Sequence, residues 1–225
     1  MGFFKQSAGV VFFRTMKGLS TLGERWGSEW LIYNPLVHLA FERSARRNAP
    51  PLVKGIRRLF PHAKRVVDVG CGTGRFAAEF QSEGYEVEGY EYSAKLRRQA
   101  AKRGIGVSAF DLSTGVPTLP PRLFDIALST EVAEHIPAEF AETLAHFLLN
   151  CAPVVVFTAA QPGQGGTGHI NEKPREYWIE VFTNAGATYE PDMTSKLAAS
   201  LEASKTQAFM YHNLSVFRSP ASRTA

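Results

Sequence analysis

The sequence of 225 residues has only two cysteines, Cys71 and Cys151, and neither forms a Cys-x-x-Cys pair. A thiolate zinc site, a dithiol redox centre and a disulfide-based fold are therefore excluded. No run of 18 apolar residues occurs, which excludes a bilayer-spanning helix. Internal repeats and low-complexity segments are absent too, and 44% hydrophobic residues exclude a disordered chain. The scarcity of cysteine fits a reducing compartment, and we expect a cytoplasmic protein.

Negative charge is scarce in the first third of the chain. Residues 1–75 contain 13 Lys and Arg against 4 Asp and Glu, whereas residues 76–225 contain 12 against 17. Such an imbalance indicates either an anionic binding partner or a solvated basic face. The partners that we expect are a small anionic or polar molecule, a lipid headgroup or, as an alternative, a nucleic acid.

Residues 1–20 combine aromatic and basic side chains. Two apolar blocks, at residues 3–4 and 10–13, lie beside Lys5 and Lys17. The blocks are too short for a secretory signal. Two interpretations stay open for this segment, namely a helix that packs on the folded domain and a peripheral contact with a membrane.

The chain divides into a helical cap at residues 1–60 and a larger domain at residues 61–225. Between Trp30 and Phe60 the apolar residues recur at helical spacing, and Pro50-Pro51 interrupts the pattern. We therefore expect two or three helices in the cap.

Beyond the cap, strand and helix patterns alternate. Strands are predicted at Val66–Val69, Glu86–Tyr90, Gly106–Phe110, Asp125–Ser129 and Val154–Thr158, and helices at Ala94–Arg103, Ala138–Asn150 and Arg175–Ala185. Apolar strands that are separated by helices require a parallel sheet, so the predicted fold class is a doubly wound α/β sheet. The alternating segment Asn213–Arg218 predicts an antiparallel strand at the C-terminal end.

A glycine-rich turn follows the first strand. Gly70, Gly72 and Gly74 lie between this strand and the next helix, where glycines permit a tight turn and let a cofactor approach the backbone. Glu91 ends the second strand, where a carboxylate can accept both hydroxyls of a ribose. Asp68 precedes the glycines, and its negative charge disfavours a pyrophosphate but suits an ammonium group. The pattern therefore argues against a dinucleotide and favours a nucleoside cofactor that carries an amino-acid part.

Four segments together resemble the class I S-adenosylmethionine-dependent methyltransferases. They are VVDVGCGTGRFAAEF (66–80), VEGYEYSAKL (87–96), the strand end Phe110-Asp111-Leu112, and FDIALSTEVAEHI (124–136). The resemblance implies a Rossmann-like sheet of seven strands, mostly parallel, with the cofactor across the carboxyl ends of the strands. The cofactor-binding residues that it implies are Asp68, Gly70, Gly72, Gly74, Glu91, Tyr92, Asp111, Leu112 and Ser129. Among these, Glu91 would bind the ribose, and Asp111 with Leu112 would bind the adenine.

A cluster of acidic and histidine residues follows the fourth strand. Glu131, Glu134 and His135 would share one face of a helical turn, and His169 lies after the fifth strand at the same sheet edge. Such ligands could bind Mg²⁺ or a similar divalent cation. The pattern resembles ubiquinone-biosynthesis O-methyltransferases and small-RNA terminal 2′-O-methyltransferases, and this likeness implies the four residues as metal ligands. Two alternatives stay open, namely His135 or His169 as a metal-free catalytic base and a purely structural role.

These features predict a methyltransferase that acts on a small molecule. An amine acceptor must arrive unprotonated, whereas a hydroxyl requires a base or a metal. The histidine and glutamate cluster therefore favours O-methylation of a sugar, natural-product or lipid-type hydroxyl. N-methylation of a small amine is one alternative. Methylation of an RNA 2′-hydroxyl is another, because Arg46, Arg47, Arg57 and Arg58 could contact phosphates.

Overall fold

The computed structural model describes residues 35–118 and 123–220, so residues 1–20 and their two interpretations lie outside it. The helices are α1 (Pro35–Leu59), α2 (Arg75–Ser82), α3 (Ala94–Ala101), α4 (Ala141–Cys151), α5 (Arg175–Asn184), α6 (Pro191–Ala203) and α7 (Ala208–His212). The strands are β1 (Arg65–Val69), β2 (Glu86–Glu91), β3 (Gly106–Ala109), β4 (Ile126–Thr130), β5 (Val154–Thr158), β6 (Thr188–Tyr189) and β7 (Ser215–Arg218). Two short 3₁₀ turns lie at Ala133–His135 and Ala138–Phe140.

The seven strands form one sheet in the order β3-β2-β1-β4-β5-β7-β6. The strands from β3 to β5 are parallel, and β7 is antiparallel to both β5 and β6. The predicted doubly wound, mostly parallel sheet with an antiparallel C-terminal strand is therefore confirmed. Strand β6 was not predicted, because two residues are too few to display a period.

Buried side chains cover both faces of the sheet, as expected for parallel strands. On one face, Val67 and Val155 pack with Leu148 of α4 and Phe182 of α5. On the other face, the strand residues that alternate with these pack against α1, α2 and α6. They include Val66, Ile126, Leu128 and Val156, which meet Ile56, Phe80, Leu197 and Leu201. Among the described residues, no helix has the length and apolar character needed to cross a membrane.

Helix α1 continues through Pro50 and Pro51, so the expected break in the cap at this point was wrong. A proline inside a helix removes a hydrogen bond and costs about 3 kcal/mol. Burial offsets this cost, because Leu52, Val53 and Ile56 have no exposed surface. Each fully buried side chain of this kind contributes about 1.5–3 kcal/mol. The helix is thus stabilised by tertiary contacts with the sheet, which local sequence spacing does not reveal.

The centre of the sheet defines where a ligand can bind. Strands β1 and β4 are neighbours there, and the chain order runs outward from them in opposite directions. In open α/β sheets, a binding crevice forms at the carboxyl ends of two such strands. The glycine-rich turn (residues 70–74) follows β1, and the histidine and glutamate cluster begins directly after β4. The topology therefore brings both predicted sites to one edge of the sheet.

Candidate active site

The three glycines of the turn have left-handed backbones, with φ of 78° at Gly70, 56° at Gly72 and 74° at Gly74. A β-carbon at Gly70 would lie 2.4 Å from Val132, and one at Gly74 would lie 2.8 Å from Ala100. At Gly72, by contrast, no atom of the described residues comes within 4 Å of that position. Gly70 and Gly74 are therefore required for close packing, and Gly72 provides the open surface that a cofactor can approach.

Glu91 holds the glycine-rich turn against the end of β2. Its Oε2 atom accepts a hydrogen bond from the amide of Gly72 at 2.9 Å, and its Oε1 atom accepts one from Ser93 at 2.7 Å. Burial raises the pKa of the Glu91 carboxyl group, although these two amides oppose the shift. Each carboxylate oxygen retains a second lone pair. Glu91 can therefore bind the two ribose hydroxyls predicted for it while it holds the turn.

Replacing Glu91 by Ala tests this dual role. We expect Glu91→Ala to weaken S-adenosylmethionine binding by about 1.5–3 kcal/mol, the range for hydrogen bonds to a charged group. Isothermal titration calorimetry would measure the change, with Glu88→Ala on an exposed position of the same strand as the control. A loss of affinity of less than about threefold, or about 0.7 kcal/mol, would show that Glu91 does not bind the ribose.

Asp68 lies in β1 beneath the turn and is only 2% exposed. Its Oδ2 atom has no hydrogen-bond partner within the described part of the chain. Burial, followed by the negative charge of Glu91, raises the pKa of Asp68 from 3.8 to about 7, although the amide of Ala77 opposes the shift. An unsatisfied buried carboxylate costs free energy until a donor reaches it. The ammonium group of a cofactor would be such a donor, so Asp68 fits its predicted role.

The raised pKa of Asp68 predicts a pH-dependent stability of the cofactor-free protein. The folded state binds this proton more tightly than the unfolded state, so stability falls as the pH rises from about 4 to about 7. A shift of about three pKa units corresponds to about 4 kcal/mol. We expect Asp68→Asn to remove this decline and to weaken cofactor binding. Urea unfolding at pH 5 and pH 8 would measure it, with the exposed Asp192→Asn as the control; an unchanged pH slope would contradict the prediction.

The remaining predicted cofactor residues lie in different environments. Tyr92 is 61% exposed, whereas Ser129 is fully buried and its hydroxyl has no partner among the described residues. Asp111 accepts hydrogen bonds from the hydroxyl and amide of Ser113 at 2.6 and 2.9 Å, and these bonds lower its pKa. Leu112 is partly buried against the core. Cofactor contact through these four residues stays a prediction.

A carboxylate on α1 supports the glycine-rich turn from outside the sheet. Glu42 accepts a hydrogen bond from the hydroxyl of Thr73 and forms ion pairs with Arg75 at 2.7 Å and Arg103 at 3.0 Å. Arg103 also donates to the backbone carbonyl of Thr73 at 3.0 Å. The sequence analysis missed Glu42, because it lies 31 residues from Thr73 in a helix without any motif.

The segment after β4 begins with a strained residue. Glu131 has φ of 53°, in a region that non-glycine residues rarely adopt. Its carboxylate accepts hydrogen bonds from Gln164 at 2.9 Å and Asn213 at 3.0 Å. Strain of this kind costs about 1–3 kcal/mol and often occurs at functional sites. Glu131 also lies outside the 3₁₀ turn Ala133–His135, so the helical face on which sequence spacing placed it does not form.

The other three predicted metal or base residues come together. Glu134, His135 and His169 each offer a ligand atom, and these atoms lie within 4.8 Å of one another. The two histidine rings meet edge to face with centroids 4.9 Å apart, and His169 Nε2 lies 4.0 Å from Oε1 of Glu134. The amides of Ile170 and Asn171 donate to the backbone carbonyl of Glu134 at 2.9 and 3.0 Å. The segment that carries His169 is therefore fixed to the turn after β4.

Hydrogen bonds define which nitrogen of each ring carries a hydrogen. His135 Nδ1 lies 3.0 Å from the carbonyl oxygen of Gly168, and His169 Nδ1 lies 2.8 Å from Oε1 of Glu172. Because both partners are acceptors, Nδ1 is the donor and Nε2 retains its lone pair. Burial, followed by the neighbouring His169, lowers the pKa of His135 to about 4. The ring of His135 is therefore neutral at pH 7.

Glu134 is a buried carboxyl group without a hydrogen-bond partner of normal geometry among the described residues. Its side chain has no exposed surface, and burial, followed by the charge of Glu131, raises its pKa. Such a group is either protonated or paired with a cation. Its oxygens and the Nε2 atoms of His135 and His169 form a donor set that fits a divalent ion. Each Nδ1 atom also meets an acceptor, which is typical of metal-binding histidines.

Glu172, which the sequence analysis missed, lies against the glycine-rich loop (residues 161–168). Its carboxylate accepts hydrogen bonds from the amides of Gly163 at 2.8 Å and Gly165 at 2.7 Å, in addition to the bond from the ring nitrogen Nδ1 of His169. A β-carbon at Gly166 would lie 2.2 Å from His169 Nε2, so this loop covers the ring closely. The sequence did contain a signal for the contact between the two side chains, because Glu172 lies three residues after His169.

The fold and the sequence of this chain have counterparts among known proteins. The structure of an S-adenosylmethionine-bound amino pentose methyltransferase from Micromonospora echinaspora matches with a TM-score of 0.60 at 19% identity, over 84% of this chain and 98% of that one. This match shows the shared fold. A family model described as a methyltransferase domain matches residues 41–191. The chain belongs to this methyltransferase family. The predicted membership of the methyltransferases is thereby confirmed, and the S-adenosylmethionine bound in the similar structure agrees with the predicted cofactor.

Curated relatives of this methyltransferase differ in their acceptors by name. The trans-aconitate 2-methyltransferase of Mycobacterium tuberculosis is 29% identical over 134 residues, which are 59% of this chain and 49% of the relative. The ubiquinone biosynthesis O-methyltransferase of Ralstonia nicotianae is 33% identical over 79 residues, or 33% of each chain. The match therefore spans about half of the first relative and less of the second. The names agree on methyl transfer and differ in what is methylated.

Proposed function

We propose that this methyltransferase methylates a hydroxyl group of a small polar acceptor and that His169 acts as the general base. The observation that carries the proposal is the 2.8 Å contact between His169 Nδ1 and the Glu172 carboxylate. A carboxylate in this position fixes the tautomer, orients the ring and stabilises the imidazolium form. Nε2 of His169 is then the atom that accepts the proton of the hydroxyl.

His169 is a better candidate for the base than His135. The Nδ1 partner of His135 is the neutral carbonyl of Gly168, and its pKa of about 4 makes it a weak base. A catalytic base works best when its pKa lies near the operating pH. We therefore assign to His135 a role in shaping the site and supporting the ring of His169, which it contacts edge to face.

The chemistry divides between the cofactor and the residues at the sheet edge. S-adenosylmethionine, when bound, supplies a methyl group on a positively charged sulfur. His169 Nε2 would take the proton of the acceptor hydroxyl, so that its oxygen could accept that methyl group. The protein must align these atoms and exclude water. Val132 packs against Gly70, so the turn after β4 and the glycine-rich turn are held side by side for this purpose.

A small polar or anionic acceptor fits the described surface better than an RNA chain. Arg47 donates to the carbonyl of Lys205 at 2.7 Å, and Arg57 forms an ion pair with Glu83. Two of the four arginines that could have contacted phosphates are therefore already paired within the protein. The curated relative named for trans-aconitate supports an anionic small molecule, and the amino pentose methyltransferase supports a sugar.

A divalent cation at Glu134, His135 and His169 is the second candidate for activating the hydroxyl. Its support is that Glu134, His135 and His169 bring ligand atoms within 4.8 Å of one another around a fully buried carboxyl group. A bound ion would lower the pKa of the acceptor hydroxyl. Calorimetric titration of Mg²⁺, Mn²⁺ and Zn²⁺ into chelator-treated enzyme saturated with S-adenosylhomocysteine tests this. Saturable binding that Glu134→Gln and His169→Ala abolish and Glu131→Gln retains would favour the metal, and no binding would favour the base.

N-methylation is the alternative reaction, because the Glu134 carboxylate could also bind the ammonium group of an amine acceptor. Incubation with ¹³C-methyl S-adenosylmethionine distinguishes the reactions, because the carbon chemical shift of the product differs between O-methyl and N-methyl groups. The acceptors would be paired sugars, nucleotide-linked sugars and catechols that carry either a hydroxyl or an amine at one position. We expect labelled O-methyl products, and labelled N-methyl products alone would overturn the proposal.

A further inference from the structure

One carboxylate connects the glycine-rich loop to the histidine that the previous section assigns as the base. Oε1 of Glu172 accepts hydrogen bonds from His169 Nδ1 at 2.8 Å and from the amide of Gly165 at 2.7 Å. Oε2 accepts one from the amide of Gly163 at 2.8 Å. Three donors from two parts of the chain thus converge on the two oxygens of a single side chain.

We propose that Glu172 is a positioning residue that couples closure of the glycine-rich loop (residues 161–168) to the orientation of His169. The proposal rests on the proposed function, since the orientation matters because His169 is the base. Glu172 acts through His169 and through the loop. The ring of His169 is held in its catalytic tautomer while the loop is closed over it.

The packing between the loop and the ring supports this coupling. Gly166 lies so close to His169 that a β-carbon would come within 2.2–2.6 Å of three ring atoms. The observed position of the ring therefore depends on the closed conformation of the loop. A second contact fastens the same loop, because the side-chain amide of Gln164 donates to Glu131 at 2.9 Å. The positions of the His169 ring and of the Glu131 side chain thus both depend on the loop conformation.

The coupling has a physical consequence for the reaction. An acceptor must pass the loop to reach Nε2 of His169, and the loop must then close to exclude water. When the loop opens, the amides of Gly163 and Gly165 leave Glu172. The carboxylate then loses two of the three donors that fix its position, and His169 loses its rigid partner. The base is therefore fully ordered only in the closed state.

Glu172→Gln tests the proposal without any acceptor. Glutamine keeps one acceptor oxygen and replaces the other by an NH₂ donor, which cannot accept from an amide or from Nδ1. In ¹⁵N-labelled full-length enzyme, the ring ¹⁵N signals of His169 report its tautomer, and hydrogen exchange reports the amides of Gly163 and Gly165. We expect a weaker Nδ1–H tautomer preference, because a neutral amide oxygen attracts the Nδ1 hydrogen less than a carboxylate oxygen does, and at least about tenfold faster exchange of the Gly163 amide, whose acceptor Oε2 becomes the NH₂ group. Glu176→Gln, an exposed carboxylate four residues later, is the matched control and should change neither signal.

Two further variants distinguish a failure of the coupling proposal from a failure of the proposed base. Glu172→Asp has a shorter side chain and should show the same changes to a smaller extent, so a misfolded Glu172→Gln would still leave a decisive result. In His169→Ala the loop amides should stay protected, because Glu172 holds them directly. Unchanged ring signals and unchanged exchange in both Glu172 variants would overturn the coupling. Normal turnover of His169→Ala would instead overturn the proposed base and leave these readouts unaffected.

Discussion

Replacing Gly72 by Arg should abolish cofactor binding, with a loss of at least about 1000-fold in affinity, or about 4 kcal/mol. Gly72 has φ of 56° and open space where a side chain would project. Its own amide donates a hydrogen bond to Glu91. An arginine would fill this space. It would also strain the backbone by about 1–3 kcal/mol, which would draw the turn away from Glu91. Calorimetric titration with S-adenosylmethionine and S-adenosylhomocysteine would measure the loss.

The control for this substitution is Gly84→Arg, at the other end of α2. Gly84 also has positive φ, at 88°, and also faces open space, so its backbone strain is comparable. We expect Gly84→Arg to lower thermal stability to a similar extent and to bind the cofactor normally. If Gly72→Arg bound S-adenosylhomocysteine within threefold of the wild type, Gly72 would not belong to the cofactor site.

Removal of the His169 side chain should lower turnover by about 10²–10⁴-fold, the usual contribution of a general base. The affinity for S-adenosylmethionine should stay within about twofold of the wild-type value, because no cofactor contact is assigned to His169. Steady-state kinetics with an acceptor found in the labelled-methyl screen would measure the first effect, and calorimetry the second. We expect His135→Ala to reduce turnover less, since its pKa of about 4 makes it a poor base and its Nδ1 partner is a neutral carbonyl.

A matched control is His146→Ala, since His146 is an exposed histidine on α4. This variant should retain full activity. Turnover of His169→Ala within about threefold of the wild type would show that His169 is not the base. If chelation abolished the turnover of the wild type and added Mg²⁺ or Mn²⁺ restored it, the role of the base would pass to a metal ion that His169 helps to bind.

Much of the fold follows from local sequence patterns. The central strands and α5 were predicted almost to the residue, because buried parallel strands produce short apolar runs between helical periods. The sequence did not predict β6, α6 or α7, and it was wrong at α1, where Pro50-Pro51 suggested a break. The helix continues because buried residues on its inner face pack against the sheet, and no local pattern encodes that packing.

In the candidate site, too, some features follow from the sequence and others only from the tertiary structure. By itself, the sequence determined the methyltransferase family and the position of the glycine-rich turn after β1, because both depend on short segments whose spacing carries the signal. Tertiary structure alone decided which residues meet. It joined Glu42 to Thr73 across 31 residues, and it turned Glu131 toward Gln164 and Asn213.

The partnership between His169 and Glu172 was also decided by the tertiary structure. Both residues stand in the sequence three positions apart, but the glycines of the loop give no fixed direction to either side chain. Their geometry depends on the fixed position of the turn after β4, whose Glu134 carbonyl accepts the amides of Ile170 and Asn171. A hydrogen bond between side chains has a definite distance only after the backbones that carry them are packed. The sequence therefore determined the class of enzyme, and the packing of its loops determined which histidine faces a carboxylate.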